Sequence, residues 1–189
     1  MYEAKNYDHL LGLEGFSDTL LRNHFTLYQG YVTNTNKSAE ALKALAAEGR
    51  FGPEYAELRR RFGWEWNGMR LHELYFGNLG GRGGPVEGGR FLAAIQAAFG
   101  SFEDFRKEFL AAGAMRGIGW VVLYRDEANG SLFTCWIGEH DGGHLAGATP
   151  ILVMDVFEHA FLTDYGLKRA DYLAAFWKNV DWKAVEARL

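Results

Sequence analysis

The sequence predicts an α+β fold, with an N-terminal antiparallel helical hairpin followed by an α/β half built on a small three-stranded antiparallel sheet. Three observations carry that expectation. Apolar residues recur at helical spacing from Ser17 to Leu79; the glycine-rich run GNLGGRGGP then interrupts the pattern; and β-rich runs appear beyond it, around an Asn-Gly dipeptide. The interruption divides the 189 residues into an expected helical hairpin domain, 1–84, and an α+β domain, 85–189.

The elements follow in order. Leu20, Leu21, His24, Phe25, Leu27, Tyr28, Tyr31 and Val32 share a helical period, which SAEALKALAAEG resumes, giving a long helix to about Glu48 with a candidate break at Asn34 to Asn36. Gly52 and Pro53 punctuate the chain, and Pro53 suits a helix start. A second helix, from about Glu54 to Leu79, carries Leu71, His72, Tyr75, Phe76 and Leu79 on one side. The short connection makes the two antiparallel neighbours. FLAAIQAAFG and SFEDFRKEFLAAGAM read as two more helices, the latter with Ser101 and Asp104 placed as a capped start. GIGWVVLYRDEANGSLFTCWIG is a hairpin around Asn129-Gly130, ATPILVMDV a third strand, and ADYLAAFWKNVDWKAVEARL a return to helix.

Composition narrows the chemistry. A net charge of -4 argues against a broad electrostatic grip on nucleic acid. A single cysteine, Cys135, excludes an internal disulfide and any cysteine-based zinc or iron–sulfur centre within one chain. No apolar run reaches the length of a membrane span, and the start MYEAKNYDHL lacks the basic-then-apolar pattern of a signal peptide, so the cytoplasm is the expected location. Redox or metal chemistry must therefore draw on carboxylates and the six histidines.

At roughly 100° per residue, helix positions 28 and 31 return to within about 40° and about 20° of position 24, so His24, Tyr28 and Tyr31 look the same way. His72 occupies the matching apolar face of the second helix. Either histidine alone reads more readily as a hydrogen-bonded core residue than as a ligand; two facing inward on adjacent helices shift the balance toward a site. In MDVFEHAF, Asp155 closes an apolar run and His159 follows four residues later, a spacing that can bring both side chains to one point. Three imidazoles and one carboxylate suit a mononuclear first-row metal site. The alternative reading of this segment has Asp155 capping the next helix, with Glu158 and His159 on the surface.

The segment DVFEHAFLTDYGLKRADYLAAFWKNVDW, residues 155–182, resembles the signature of the iron/manganese superoxide dismutase family. The resemblance extends to YVTNTNK at 31–37, the H-x-x-Y-F segment at 72–76 and GIGW at 117–120. It implies that His24, His72, Asp155 and His159 are the metal ligands, that Tyr31 is the gateway tyrosine of the substrate funnel, and that Trp120 packs against the metal pocket. It further implies that Glu158 reaches across a dimer interface to the partner's ligand histidine, and that Arg169 lies near the funnel, where it would draw in an anion. The implied activity is conversion of superoxide to dioxygen and hydrogen peroxide by one-electron cycling of one iron or manganese ion per subunit, iron favoured, in a homodimer or dimer of dimers. Zinc lacks the required redox step.

The chain departs from that pattern in several places. His24 stands seven residues before Tyr31, where the family has eight, and a regular helix without a bulge would keep both roles. Tyr28 replaces a further family histidine and Phe161 a tyrosine that bonds it across the interface. The family's glutamine beside the metal site, four residues before the second ligand or on the sheet, is Gly68 at the first place; at the second, in GEHDGG, His140 is the expected donor. Two other functions remain open at this point: a catalytically silent assembly subunit of the same fold, and an oxygen-activating non-haem iron enzyme.

Overall fold

A computed structural model describes all 189 residues. Its helices are α1 (Asp18–Ala47), α2 (Pro53–Phe76), α3 (Arg90–Phe99), α4 (Phe102–Ala114), α5 (Leu162–Tyr165), α6 (Arg169–Lys178) and α7 (Trp182–Ala187); its strands are β1 (Gly119–Asp126), β2 (Leu132–Gly138) and β3 (Ala148–Asp155). Local chemistry sets many boundaries. The Ser17 side chain accepts the Leu20 N–H at the start of α1, Ser101 accepts the Asp104 N–H at the start of α4, and Pro53 opens α2. No helix is long and apolar enough to cross a membrane.

Three boundaries differ from the sequence expectation, the first being that α2 ends at Phe76 and Leu79 pairs with Val180 beyond it. α1 runs unbroken through Asn34 to Asn36. Both ends of the Asn36 amide are bonded to the Tyr2 main chain at 2.8 Å, so the side chain anchors the N-terminal segment and does not compete for its own helix backbone. The C-terminal helical stretch is split at Asn179–Asp181, where Val180 bridges to Leu79 and the Asp181 side chain caps α7.

The sheet is antiparallel, in the order β2-β1-β3. β1 is buried from Gly119 through Tyr124, as a central strand requires, and Pro150 is tolerated because β3 is an edge. The register sets Trp120 of β1 opposite Asp155 of β3 and Ile137 of β2. α2 packs on β3 and α1 on α2, and one apolar core continues from Tyr28 and Phe76 in the hairpin to Trp120, Phe109 and Tyr172 in the second half.

Asn78, just beyond α2, joins these layers. Its buried amide donates to the Tyr75 and Val153 carbonyls and accepts from the Val153 N–H and Arg188. Asn78→Leu keeps the volume but strands those polar groups, and is expected to cost about 3 kcal/mol. Chemical denaturation checks this, and an unchanged midpoint would refute it.

Candidate metal centre

Four elements converge on one buried point. His24 from α1, His72 from α2, Asp155 at the end of β3 and His159 in the 3-10 turn Glu158–Ala160 bring their donor atoms within 4.8 Å of one another. The Nε2 atoms of His24 and His159 each lie 3.2 Å from Asp155 Oδ2, and that of His72 lies at 3.7 Å. Only His159 keeps appreciable solvent contact, with 27% of its side chain exposed. α1 is a regular helix, so His24 and Tyr31 both face His72, at ring separations of 5.0 and 5.1 Å.

The carboxylate is held from several sides. Asp155 Oδ1 accepts the Phe157 N–H at 2.8 Å, and its main-chain oxygen accepts the Tyr172 hydroxyl at 2.6 Å. Burial works against ionisation of Asp155, but the imidazoles of His159 and His24 outweigh it and hold the carboxyl far below the usual carboxylate range. Burial likewise pulls His24 below the ordinary histidine range and His72 further still. Neutral His24 and His72 beside an ionised carboxylate are the protonation states that metal coordination needs.

Hydrogen bonding fixes one tautomer. His72 Nδ1 lies 2.6 Å from the Gly68 carbonyl, which can only accept, so Nδ1 carries the proton and Nε2 presents a bare lone pair. That buried atom has no hydrogen-bond partner, and it faces the Asp155 carboxylate. Two acceptors opposed across a dry gap are unfavourable unless a cation lies between them. The residues therefore fit a metal ion with a nitrogen and oxygen donor set.

A second layer carries a directed chain of bonds. Trp120 Nε1–H donates to His140 Nδ1 at 3.0 Å, and His140 Nε2 lies 2.8 Å from the Tyr31 hydroxyl. Burial pushes His140 down to about 4, so the ring is neutral at neutral pH. Because indole can only donate, the ring's one proton sits on Nε2 and is given to the Tyr31 oxygen. The Tyr31 hydroxyl proton is thereby left free for another acceptor. Burial, then the Asp155 charge, keeps that phenol well above its ordinary range. A glutamine amide would offer the same acceptor and donor pair.

Gly68 explains why no glutamine comes from α2. A Cβ there would stand 2.6 Å from Tyr31 Cδ1, so the tyrosine ring occupies the space that a side chain would need.

The remaining expected residues lie further out. Arg169 donates to the Gly117 and Val156 carbonyls at 3.1 and 2.9 Å, holding a positive charge just beyond Asp155. Glu158 is exposed next to His159. The Tyr28 hydroxyl turns away from the donors to Glu73 Oε1, at 3.0 Å, and Phe161 stacks on Tyr172. Sequence reasoning missed Trp64 and Phe157. The Trp64 ring lies 4.5 Å from His140, while Phe157 stacks on both His140 and His159. Phe157 sat inside the quoted motif; Trp64, eight residues before His72, carried no signal beyond its position on α2.

Two outcomes follow from this geometry. Gly68→Ala displaces the Tyr31 ring from His140 and is expected to lower turnover about tenfold with metal retained; paired kinetics and metal analysis check it. The unfolded His140 titrates near 6.5 and the folded one near 4, so the unfolded chain holds the extra proton between those values. Stability is lost as the pH falls through that window, by up to about 3 kcal/mol relative to His140→Gln. Denaturation of both proteins from pH 6.5 to 4 measures the difference, and parallel profiles would refute it.

Comparison with known proteins identifies the family. The family model for the iron/manganese superoxide dismutases, C-terminal domain, matches residues 87–188. A manganese superoxide dismutase of Haloferax volcanii is 37% identical over 166 residues, covering 88% of this chain and 82% of the relative. An iron superoxide dismutase of Aquifex pyrophilus is 36% identical over an alignment spanning 100% of this chain and 92% of the relative. An iron superoxide dismutase of Saccharolobus solfataricus is 35% identical, covering 86% and 79%. With the fold, the donor cluster and these matches in agreement, the chain belongs to the iron/manganese superoxide dismutase family.

Proposed function

We propose that His24, His72, Asp155 and His159 hold the single iron or manganese ion of this superoxide dismutase, and that Tyr31 and His140 deliver protons beside it. The unpartnered, buried Nε2 of His72 facing an ionised carboxylate is the observation that carries this assignment. When bound, the metal supplies a one-electron couple that takes an electron from one superoxide and returns it to the next, yielding dioxygen and then hydrogen peroxide.

The chain's own residues bind the ion, select the substrate and move protons. Forming peroxide consumes two protons, and the Tyr31 hydroxyl, freed by the His140 Nε2–H, is oriented to give one. Trp120 holds the His140 ring in the donating tautomer through its indole N–H. Phe157 and Trp64 wall the His140 ring and exclude bulk water from it.

Superoxide is an anion and the chain carries a net charge of -4, so a local cation is required to guide it. Arg169, whose charge is bonded only to carbonyl oxygens, fills that role. Exposed Glu158 reaches the partner's ligand histidine, making the active form a homodimer or a dimer of dimers whose subunits each consist of the 1–84 and 85–189 units. Iron is the favoured metal, because the Aquifex relatives that align over the whole chain are named for iron. The enzyme acts as a cytoplasmic antioxidant.

Metal analysis of protein from native cells, with superoxide assays of iron- and manganese-reconstituted samples, tests the reading. The iron form is expected to be the more active and to slow as ionic strength rises, with a flatter dependence in Arg169→Ala. An inactive protein with full metal content in both reconstitutions would overturn it.

A further inference from the structure

His144 belongs to no donor cluster, yet both of its ring nitrogens are engaged. Nε2 lies 2.9 Å from the main-chain carbonyl oxygen of His140, and Nδ1 lies 2.6 Å from the Tyr124 hydroxyl. A carbonyl can only accept, so Nε2 carries the proton and donates it to His140, while Nδ1 receives the Tyr124 O–H. Tyr124 is buried in β1, the central strand. A chain of bonds therefore runs from the rigid middle of the sheet to the backbone of His140.

The intervening backbone lets His144 fold back. Gly138 and Gly142 exchange two main-chain hydrogen bonds, at 2.7 and 3.0 Å. Glu139 takes a left-handed conformation at φ 49°, and its carboxylate accepts the Trp64 indole N–H. At Gly143, φ is 104° and a Cβ would stand 2.7 Å from the Trp136 carbonyl oxygen, so only glycine fits. This tight turn carries His140 with its ring buried inward and its carbonyl directed to His144.

A histidine at this place needs such a brace more than a glutamine would. Glutamine has three side-chain torsions with which to correct a displaced backbone. Histidine has two, and its nitrogens are fixed within one ring. Any main-chain error therefore passes directly into the bonds to Trp120 and Tyr31. Resting on the reading of His140 as the donor beside the metal, we propose that His144, braced by Tyr124, is a positioning residue that fixes the His140 carbonyl and with it the aim of the ring at Tyr31.

A double-mutant cycle on the metal-loaded enzyme tests this, with turnover and the visible ligand-field absorption of the holoprotein as readouts. His144→Ala is expected to retain the metal, lower kcat about fivefold, and shift the absorption band in the same direction as His140→Ala but by less. Tyr124→Phe keeps the ring in the core, removes only the hydroxyl, and is expected to move both readouts the same way. In the His140→Ala background neither substitution should have a further effect. The proposal is overturned if Tyr124→Phe and His144→Ala leave the band and kcat at wild-type values, or if their losses persist undiminished in His140→Ala. A fully metallated His140→Ala enzyme with wild-type turnover overturns the reading of His140 itself, and this arm is scored without the other variants.

Discussion

One buried carboxylate organises this molecule. Ionised Asp155 has no solvent to stabilise it; its Oδ2 is shared between the His24 and His159 imidazoles, and the bare His72 Nε2 faces it at 3.7 Å. Removing such a charge from water is tolerable only where partners are already in place. Those partners come from α1 and the turn after β3, so the hairpin must dock on the sheet before the charge is compensated. The β1–β3 register, the Tyr172 hydroxyl on the Asp155 carbonyl and the Asn78 amide between α2 and β3 all hold this one side chain at the right depth.

The direction of hydrogen bonding matters as much as the positions. Indole can only donate, which sets the acceptor side of His140, which in turn sets the free proton of Tyr31. On the opposite side, a main-chain carbonyl fixes the His72 tautomer in the same manner. Groups with a single possible role, an indole N–H and a carbonyl oxygen, impose order on groups with two. The Gly138–Gly143 turn brings the main chain close enough for the His140 ring to lie between Trp120 and Tyr31.

Features legible in the sequence were those governed by neighbours along the chain. The hairpin periodicity, the Ser101 cap, and the cofacial placement of His24 and Tyr31 follow from helix geometry. The donor cluster was legible only in part: two inward histidines on adjacent helices and the Asp155–His159 spacing of four left a metal site and a capped helix start evenly matched, and the resemblance to the family signature supplied the full set. What escaped depends on distant groups. Asn36 looked like a helix breaker because its partner, Tyr2, lies 34 residues away. Trp64 and His144 acquire their contacts only when α2 and the β2 turn meet around His140. The split between α6 and α7 depends on Leu79, on the other side of the molecule's sequence.

The hairpin is longer than the site needs. Thirty residues make α1 about 45 Å long, yet its burial is concentrated between Leu20 and Thr35, with only Leu42 and Leu45 beyond, and burial along α2 begins at Glu65. The outer turns therefore stand clear of the core, held by their own backbone bonds and by exposed pairs such as Arg60–Glu57. Amide protons in those turns exchange through local fraying, while those near His24 and His72 wait for global opening. A single pair of helices is thus expected to hold both readily opened and strongly protected backbone.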